Sequence, residues 1–379
     1  MAEKTPTLAP AGSASGSTPV RLLALDALRG FDMFWIVGAE DIVHALKRFS
    51  DSAVTRFMAT QMSHKPWAGM AFYDLIFPMF VFMVGVSLVF SLDRIIQREG
   101  KAAAVGRILR RGLVLYILGI FYYGGFATPF DRIRLLGVLQ RIALAYTFAG
   151  LTYCFFELRG RITVFATVLL GYWALMCFVP VPGGTAGDFA EGKNLANWLD
   201  REYLPFRKWD GDHDPEGMLS TLPAIGTCLL GVFAGMVLKD GRVPAPKKVV
   251  WLLLGGVGLV AAGWIWNLQF PVIKKLWTSS YVLVAGGYSC LLLAAFYQVI
   301  DVWHVQAWAQ PFVWIGMNPI AIYMIHNLVD LKAIAQRFVG GDVAHMFGKA
   351  DELVLTMVIL ALSFWICRFL YRRKIFLRV

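Results

Sequence analysis

Apolar runs of roughly twenty residues recur along this chain, and that length is what an α-helix needs to cross a bilayer. Tyr73-Asp-Leu-Ile-Phe-Pro-Met-Phe-Val-Phe-Met-Val-Gly85 opens one of them. Hydrophobic residues make up 58% of the 379 and charged residues only 16%, too apolar a balance for a soluble domain of this length. The expected fold is therefore all-α, a polytopic transmembrane helix bundle of about ten spans. Hydropathy and length put them at 23–46, 71–92, 111–127, 136–157, 162–181, 218–238, 249–268, 279–302, 310–332 and 352–371. Pro78 predicts a kink in the second. Leu254-Gly-Gly-Val-Gly258 and Ala285-Gly-Gly287 predict close helix contacts.

A net charge of +11 could indicate a nucleic-acid partner, but its distribution argues against one. The lysines and arginines gather in short connections: Arg94, Arg98, Lys101, Arg107, Arg110 and Arg111 after the second span, then Arg159 and Arg161, then Lys239 to Lys248. The tail adds Arg372, Arg373, Lys374 and Arg378. With an even number of spans these all fall on one side, which the positive-inside rule makes cytoplasmic, together with both termini. Residues 1–19, rich in Ala, Thr, Pro, Ser and Gly and without a signal-peptide core, read as a disordered tail. Residues 20–379 then form one transmembrane domain. The cysteines Cys154, Cys177, Cys228, Cys290 and Cys367 lie in apolar stretches without CxxC spacing. They read as packing residues, and no metal site is expected.

The longest connection, 182–217, falls on the extracytoplasmic side. It carries Asp188, Glu191, Asp200, Asp210, Asp212, Asp214 and Glu216 with Trp198 and Trp209. A loop so long is either a lid or substrate-binding element or a simple solvated connection. Polar residues also recur within the spans: Asp26, Arg29, Glu40, Asp41, Gln140, Arg141, Asn318, Tyr323 and His326. One charge at a helix centre costs roughly 2.5–3.5 kcal/mol, so the set as a whole predicts an internal polar pocket. Singly, each has a structural alternative, such as an Asp26–Arg29 pair at i, i+3.

His64, in Gln61-Met-Ser-His-Lys-Pro-Trp67, is the leading candidate for chemistry. Asp74 follows at the mouth of a span, where a carboxylate can accept one ring N–H and leave the other nitrogen as a base. The competing reading is an interfacial anchor. No GxSxG, HExxH or Walker element offers different chemistry.

Several motifs in order resemble the heparan-α-glucosaminide N-acetyltransferase family. They are Leu25-Asp-Ala-Leu-Arg-Gly30, His64 to Trp67 running into Asp74-Leu-Ile-Phe-Pro78, and Arg134-Leu-Leu-Gly-Val-Leu-Gln-Arg141. Asp214-Pro-Glu-Gly217 with Ser220-Thr221, Lys275-Leu-Trp277 with Thr278-Ser279, and Gly316-Met-Asn318 complete the series. The resemblance implies a multi-span acyltransferase that takes acetyl from cytosolic acetyl-CoA and passes it to an amine of a terminal glucosamine across the membrane. The family's catalytic histidine falls on His64, and its neighbouring asparagine, counted from the Leu-Arg-Gly motif, falls at or near Glu40, a departure from the pattern. The expectation is a relative without the lysosomal member's large lumenal N-terminal domain. The implied relative is bacterial, multi-pass in the inner (cytoplasmic) membrane, with an amino sugar rather than heparan as acceptor.

On that basis His64, Asp74, Glu40 and Asn318 are the expected catalytic group, with Asn318 or another buried donor facing the oxyanion. Arg29, Arg107, Arg110, Arg111, Gln140, Arg141 and Ser279 are expected to hold the CoA thioester. Trp67, Glu216 and His326 are expected at the acceptor. The partners are acetyl-CoA, an amino-sugar or glycan acceptor, the lipid bilayer and, as a candidate, a second copy of the chain. Direct transfer and an acetyl-histidine intermediate both remain open. So do a sugar or amino-sugar permease, against which the lack of an internal repeat weighs slightly, and an O-acetyltransferase of envelope glycans.

Overall fold

The computed structural model describes residues 22–377, so the expected tail at 1–19 lies outside the described residues. Within them the chain is helical, with one isolated bridge between Ala68 and Ile273. Helix α1 (Leu23–Phe34) runs through a π-helical turn at Trp35–Ala39 into α2 (Glu40–Phe49). Helix α3 (Ala53–Gln61) starts at a capping box, Ser52 and Thr55 each donating a backbone N–H to the other's hydroxyl.

Helix α4 (Phe72–Tyr122) is 51 residues long. At 1.5 Å per residue that is about 75 Å, more than twice a hydrocarbon core. The chain resolves the excess at Gly100, whose φ of 86° only glycine adopts without strain. Leu88, Val89 and Leu92 share one buried cluster with Ala104 and Ile108, so the two halves turn back on each other. The expected spans at 71–92 and 111–127 are these halves. Helical dihedrals continue through Pro78, so the break belongs to Gly100 and not to the proline.

There follow α5 (Val138–Phe155), α6 (Leu158–Phe178), α7 (Leu195–Tyr203), α8 (Thr221–Lys239), α9 (Ala245–Trp266) and α10 (Ser279–Tyr297). The last part is more broken: α11 (Gln310–Gly316), α12 (Pro319–Leu328), α13 (Leu331–Val339), α14 (Asp342–Phe347) and α15 (Asp351–Arg372). Among the described residues, 6 helical stretches are long and apolar enough to cross a membrane. They cover 72–127, 158–178, 221–239, 245–266, 279–302 and 342–372, as befits a multi-pass membrane protein. The expected spans at 23–46, 136–157 and 310–332 are outside this set. The first is interrupted where Val37 and Gly38 leave helical dihedrals, the second carries Gln140 and Arg141, and the third divides at Asn318-Pro319.

The core lies where the first half of α4 meets α1, α8 and α10. Helices α4 and α8 cross at backbone contact. A Cβ on Gly85 would sit 2.0 Å from the Cys228 carbonyl oxygen, and one on Gly231 would sit 1.9 Å from that of Phe82. Without a hydrophobic drive between helices in lipid, such small-residue contact is how they bind each other. The expected glycine contact between α9 and α10 also forms, through Gly256 and Gly287, while Gly255 and Gly258 face open space. Leu254 and Ile265 on α9 and Trp365 on α15 are exposed, forming an outer apolar surface.

Candidate active site

Residues 62–71 turn from α3 into α4 and carry His64. Asp74, in the first turn of α4, is fully buried, and its Oδ2 accepts the backbone N–H groups of Ala71 (3.0 Å) and Lys65 (3.2 Å). Its Oδ1 lies 2.8 Å from His64 Nδ1. The helix start thus holds the carboxylate by unpaired amides and dipole, and the carboxylate holds the imidazole. The same residue's backbone carbonyl accepts the Tyr281 hydroxyl of α10 at 2.7 Å. With Asp74 ionised, Nδ1 carries the proton and Nε2 keeps the lone pair. The ring packs beside Tyr73 at 4.8 Å between centroids and remains about half exposed, its side chain 53% accessible.

Lys274 meets this pair from the connection before α10. Its Nζ is 2.9 Å from His64 Nδ1, 3.2 Å from Nε2 and 3.4 Å from Asp74 Oδ1. Burial lowers the Lys274 pKa, and the carboxylates of Asp74, Glu216 and Glu40 only partly offset that. His64, Tyr73 and Lys274 all line a cavity of about 790 Å³. Its walls are largely aromatic and apolar, including Phe77, Phe80 and Trp277, with Arg134, Asp210 and Glu216 toward loop 182–217.

Arg134 is buried and forks onto Asp214, with Nε–Oδ2 at 2.8 Å and Nη2–Oδ1 at 2.6 Å. The same Nη2 reaches Glu216 Oε2 at 2.6 Å, and the guanidinium lies over the rings of Tyr123 and Trp209. Arg141, 1% exposed, donates to the Gly217 carbonyl and to Ser220 Oγ beneath the Trp277 ring. The Arg134-to-Arg141 motif and the Asp214-to-Thr221 motif therefore interlock to build the cavity wall.

A second cavity of about 420 Å³ is lined by Arg29, Arg94 and Arg107 with Asp26, Ser87 and Ser91. The two cavities share the same helix faces. Along α4, Tyr73, Phe77 and Phe80 line the first, and Ser87, Ser91 and Arg94 the second, in steps of three or four. Along α1 the order reverses, with Leu25 and Arg29 at the second cavity and Met33 at the first. From Phe80 to Ser87 the helix rises about 10 Å. Arg29, at the second cavity, donates to Ser87 Oγ (3.1 Å) and the Gly316 carbonyl (3.3 Å) and lies 3.7 Å from Asp26 Oδ1.

The expected residues divide accordingly. His64 and Asp74 meet, and Glu216 lines the His64 cavity. Glu40 does not line it, but one of its carboxylate oxygens is buried without a hydrogen bond and its charge acts on Lys274. Arg29 and Arg107 share the second cavity, although Arg107 also pairs with Glu99 at 2.7 Å. Arg110 is exposed and lines neither, and Arg111 lies over the Tyr146 ring. Gln140 is buried against the Arg134 carbonyl.

Four residues are engaged elsewhere. Asn318 is not an oxyanion donor beside His64, because its amide holds the C-terminal segment, donating to the Ile375 carbonyl and accepting from Leu377 N–H. His326 Nε2 is 2.9 Å from Ser363 Oγ, tying α12 to α15. Ser279 donates to the Leu169 carbonyl, and Trp67 donates to that of Phe189 in loop 182–217. The sequence reading missed Lys274, whose only local signal is its place in the Lys274-Lys275 pair between two spans.

The catalytic-domain pattern of heparan-alpha-glucosaminide N-acetyltransferase matches residues 21–259. The mouse protein of that name is 28% identical over 83% of this chain, and the human protein is 28% identical over the same share. The aligned region is 56% of the mouse protein and 55% of the human one, so the chain spans about half the length of the curated relatives it matches. The matched pattern takes in α1 through most of α9, including the His64–Asp74 pair and the two interlocked motifs at Arg134 to Arg141 and Asp214 to Thr221, and the chain belongs to the heparan-α-glucosaminide N-acetyltransferase catalytic-domain family.

Proposed function

We propose that this protein is a membrane acetyltransferase that moves acetyl from acetyl-CoA to the amine of an amino sugar, with His64 as general base. The observation that carries the proposal is the oriented His64–Asp74 pair at the wall of a cavity large enough for a sugar. Asp74 fixes the tautomer, and Nε2 accepts the proton as the acceptor amine attacks the thioester carbonyl. The new C–N bond forms, the C–S bond breaks, and CoA leaves as thiolate to be protonated. Lys274 supplies positive charge or a proton where the tetrahedral oxyanion and the departing sulfur develop negative charge. Trp209 and Tyr123 offer aromatic faces for the acceptor ring.

The second cavity suits the donor's polyanionic end. Arg94, Arg107 and Arg29 would face its phosphates, and the pantetheine arm would follow the shared face of α1 and α4 toward His64. In this scheme the chain makes ten passages. The short helices around Asn318 and the π-helical turn count as interrupted spans, and both termini and the arginine-lined cavity face the cytoplasm of a bacterial inner membrane. Loop 182–217 and the His64 cavity then open on the far side. Family membership favours transfer over the permease reading.

The experiment is acetyl transfer by the purified protein in proteoliposomes with acetyl-CoA and glucosamine. N-acetylated product that requires acetyl-CoA and disappears in His64→Ala is expected. Sugar accumulation without acetyl-CoA would instead establish a permease, and product from a hydroxyl-only acceptor would establish O-acetylation.

A further inference from the structure

Loop 182–217 holds a second group of chemistry-bearing side chains that acetyl transfer does not use. Glu191, Asp210 and His213 each offer one ligand atom, and these atoms all lie within 4.8 Å of one another. His213 is 4% exposed, and its Nε2 is buried without a hydrogen-bond partner. That nitrogen points into the group, 3.6 Å from Glu191 Oε1 and 3.8 Å from Asp210 Oδ2. Two ligand atoms on a tetrahedral ion at bond lengths near 2.0–2.1 Å are about 3.3 Å apart. The two distances from Nε2 exceed that by only a few tenths of an ångström, and the carboxylates would draw in from within 4.8 Å to close the shell.

The far side of the imidazole is prepared in the same sense. His213 Nδ1 lies 2.6 Å from Asp212 Oδ1, and Asp212 is itself 3.6 Å from Arg201. A carboxylate on Nδ1–H fixes the tautomer that presents Nε2 as a lone pair, the usual outer partner of a metal-bound histidine. A positive charge already sits among the carboxylates, for Lys275 Nζ is 2.7 Å from Glu191 Oε1 and 2.9 Å from Asp210 Oδ2. An ammonium cannot use the His213 lone pair as strongly as a Lewis acid can. One imidazole with two carboxylates is a donor set for zinc-like ions rather than for calcium or magnesium.

We propose that Glu191, Asp210 and His213 bind one divalent transition-metal ion, of which Zn²⁺ is the type, in competition with Lys275. The ion ties the start of the loop at Glu191 to the turn at 210–213. Because Asp210 also lines the His64 cavity, it does so at the cavity's rim. The site is independent of the acetyl-transfer reading and would exist in a permease as well.

The test uses the full-length protein in detergent, stripped with chelator and titrated with Co²⁺ and then Zn²⁺. One Co²⁺ per chain is expected, with visible d–d absorption and no sulfur-to-metal charge-transfer band, displaced by Zn²⁺. His213→Gln and Glu191→Gln weaken binding by roughly tenfold or more, and Lys275→Met strengthens it by a similar factor. The Glu191 side chain is 44% accessible, so that variant keeps the fold even if His213→Gln does not. No stoichiometric uptake by the wild type, or equal uptake by wild type and Glu191→Gln, would overturn the site.

Discussion

At the scale of single residues, His64 and Asp74 split one task by exposure. The carboxylate is buried and saturated with donors, while the imidazole stays accessible to whatever enters the cavity. Removing the imidazole should cost the base and little else. His64→Ala is expected to lower kcat by about 10²–10⁴-fold with acetyl-CoA still bound, measured by steady-state transfer and by a CoA titration. Unchanged kcat would refute the role. Lys274 predicts a pH signature. Burial makes the folded lysine release its proton below the value near 10.5 that holds in the unfolded chain. Between those two pH values the unfolded state binds more protons, so this residue's contribution to stability rises with pH. The melting temperature of the wild type relative to Lys274→Met should climb through the alkaline range up to about pH 10.5, and a flat or falling difference would contradict the assignment. The two residues differ in legibility. Asp74 follows His64 by ten residues at a span mouth, so their meeting can be read from the sequence, whereas Lys274 arrives from 210 residues away with only its lysine neighbour as a mark. Asn318 misled for a related reason: a polar residue inside an apolar run signals a bonding need without saying which partner meets it.

At the scale of elements, helices α4 and α8 meet by backbone contact that tolerates no side chain. Gly231→Ala drives a methyl to within 1.9 Å of the Phe82 carbonyl oxygen, and the helices must part. A loss of about 1–3 kcal/mol or more is expected, seen as a lower melting temperature and a broadened gel-filtration profile. Gly255→Ala, with nothing within 4 Å, is the control and should be neutral or slightly stabilising. Equal behaviour of the two variants would mean that the α4–α8 contact is looser than described. The Arg134 fork is the other rigid element. Arg134→Met strands the buried Asp214 and Glu216 carboxylates and should cost about 3–5 kcal/mol, a loss that Asp214→Asn in the same chain partly restores. Part of this scale is legible. Paired glycines announce the α9–α10 contact, whereas the interlock of the Arg134-to-Arg141 and Asp214-to-Thr221 motifs appears only in the fold. The position of the break in α4 is legible only in part, since Pro78 and Gly100 both qualify by residue type and only packing across the turn selects the glycine.

At the scale of the whole molecule, one face each of α1 and α4 lines both cavities, and the proposed scheme has its two substrates approach His64 from opposite ends along them. Hydropathy reveals the helical bundle, but the alignment of two cavities needs the three-dimensional register of antiparallel helices, which periodicity alone does not supply. The arrangement predicts a crossed kinetic pattern. Arg29→Ala and Arg107→Ala each remove a guanidinium from the wall of the second cavity. Each should raise KM for acetyl-CoA by roughly tenfold, about 1.4 kcal/mol, with KM for the amino sugar unchanged. Trp209→Ala, at the rim of the His64 cavity, should do the reverse. In sealed proteoliposomes of one orientation, product should form only when acetyl-CoA is on the arginine-lined side and acceptor on the side of loop 182–217. Variants that moved both KM values together, or transfer with both substrates confined to one compartment, would mean that a single opening serves donor and acceptor, and the two-ended path would have to be abandoned.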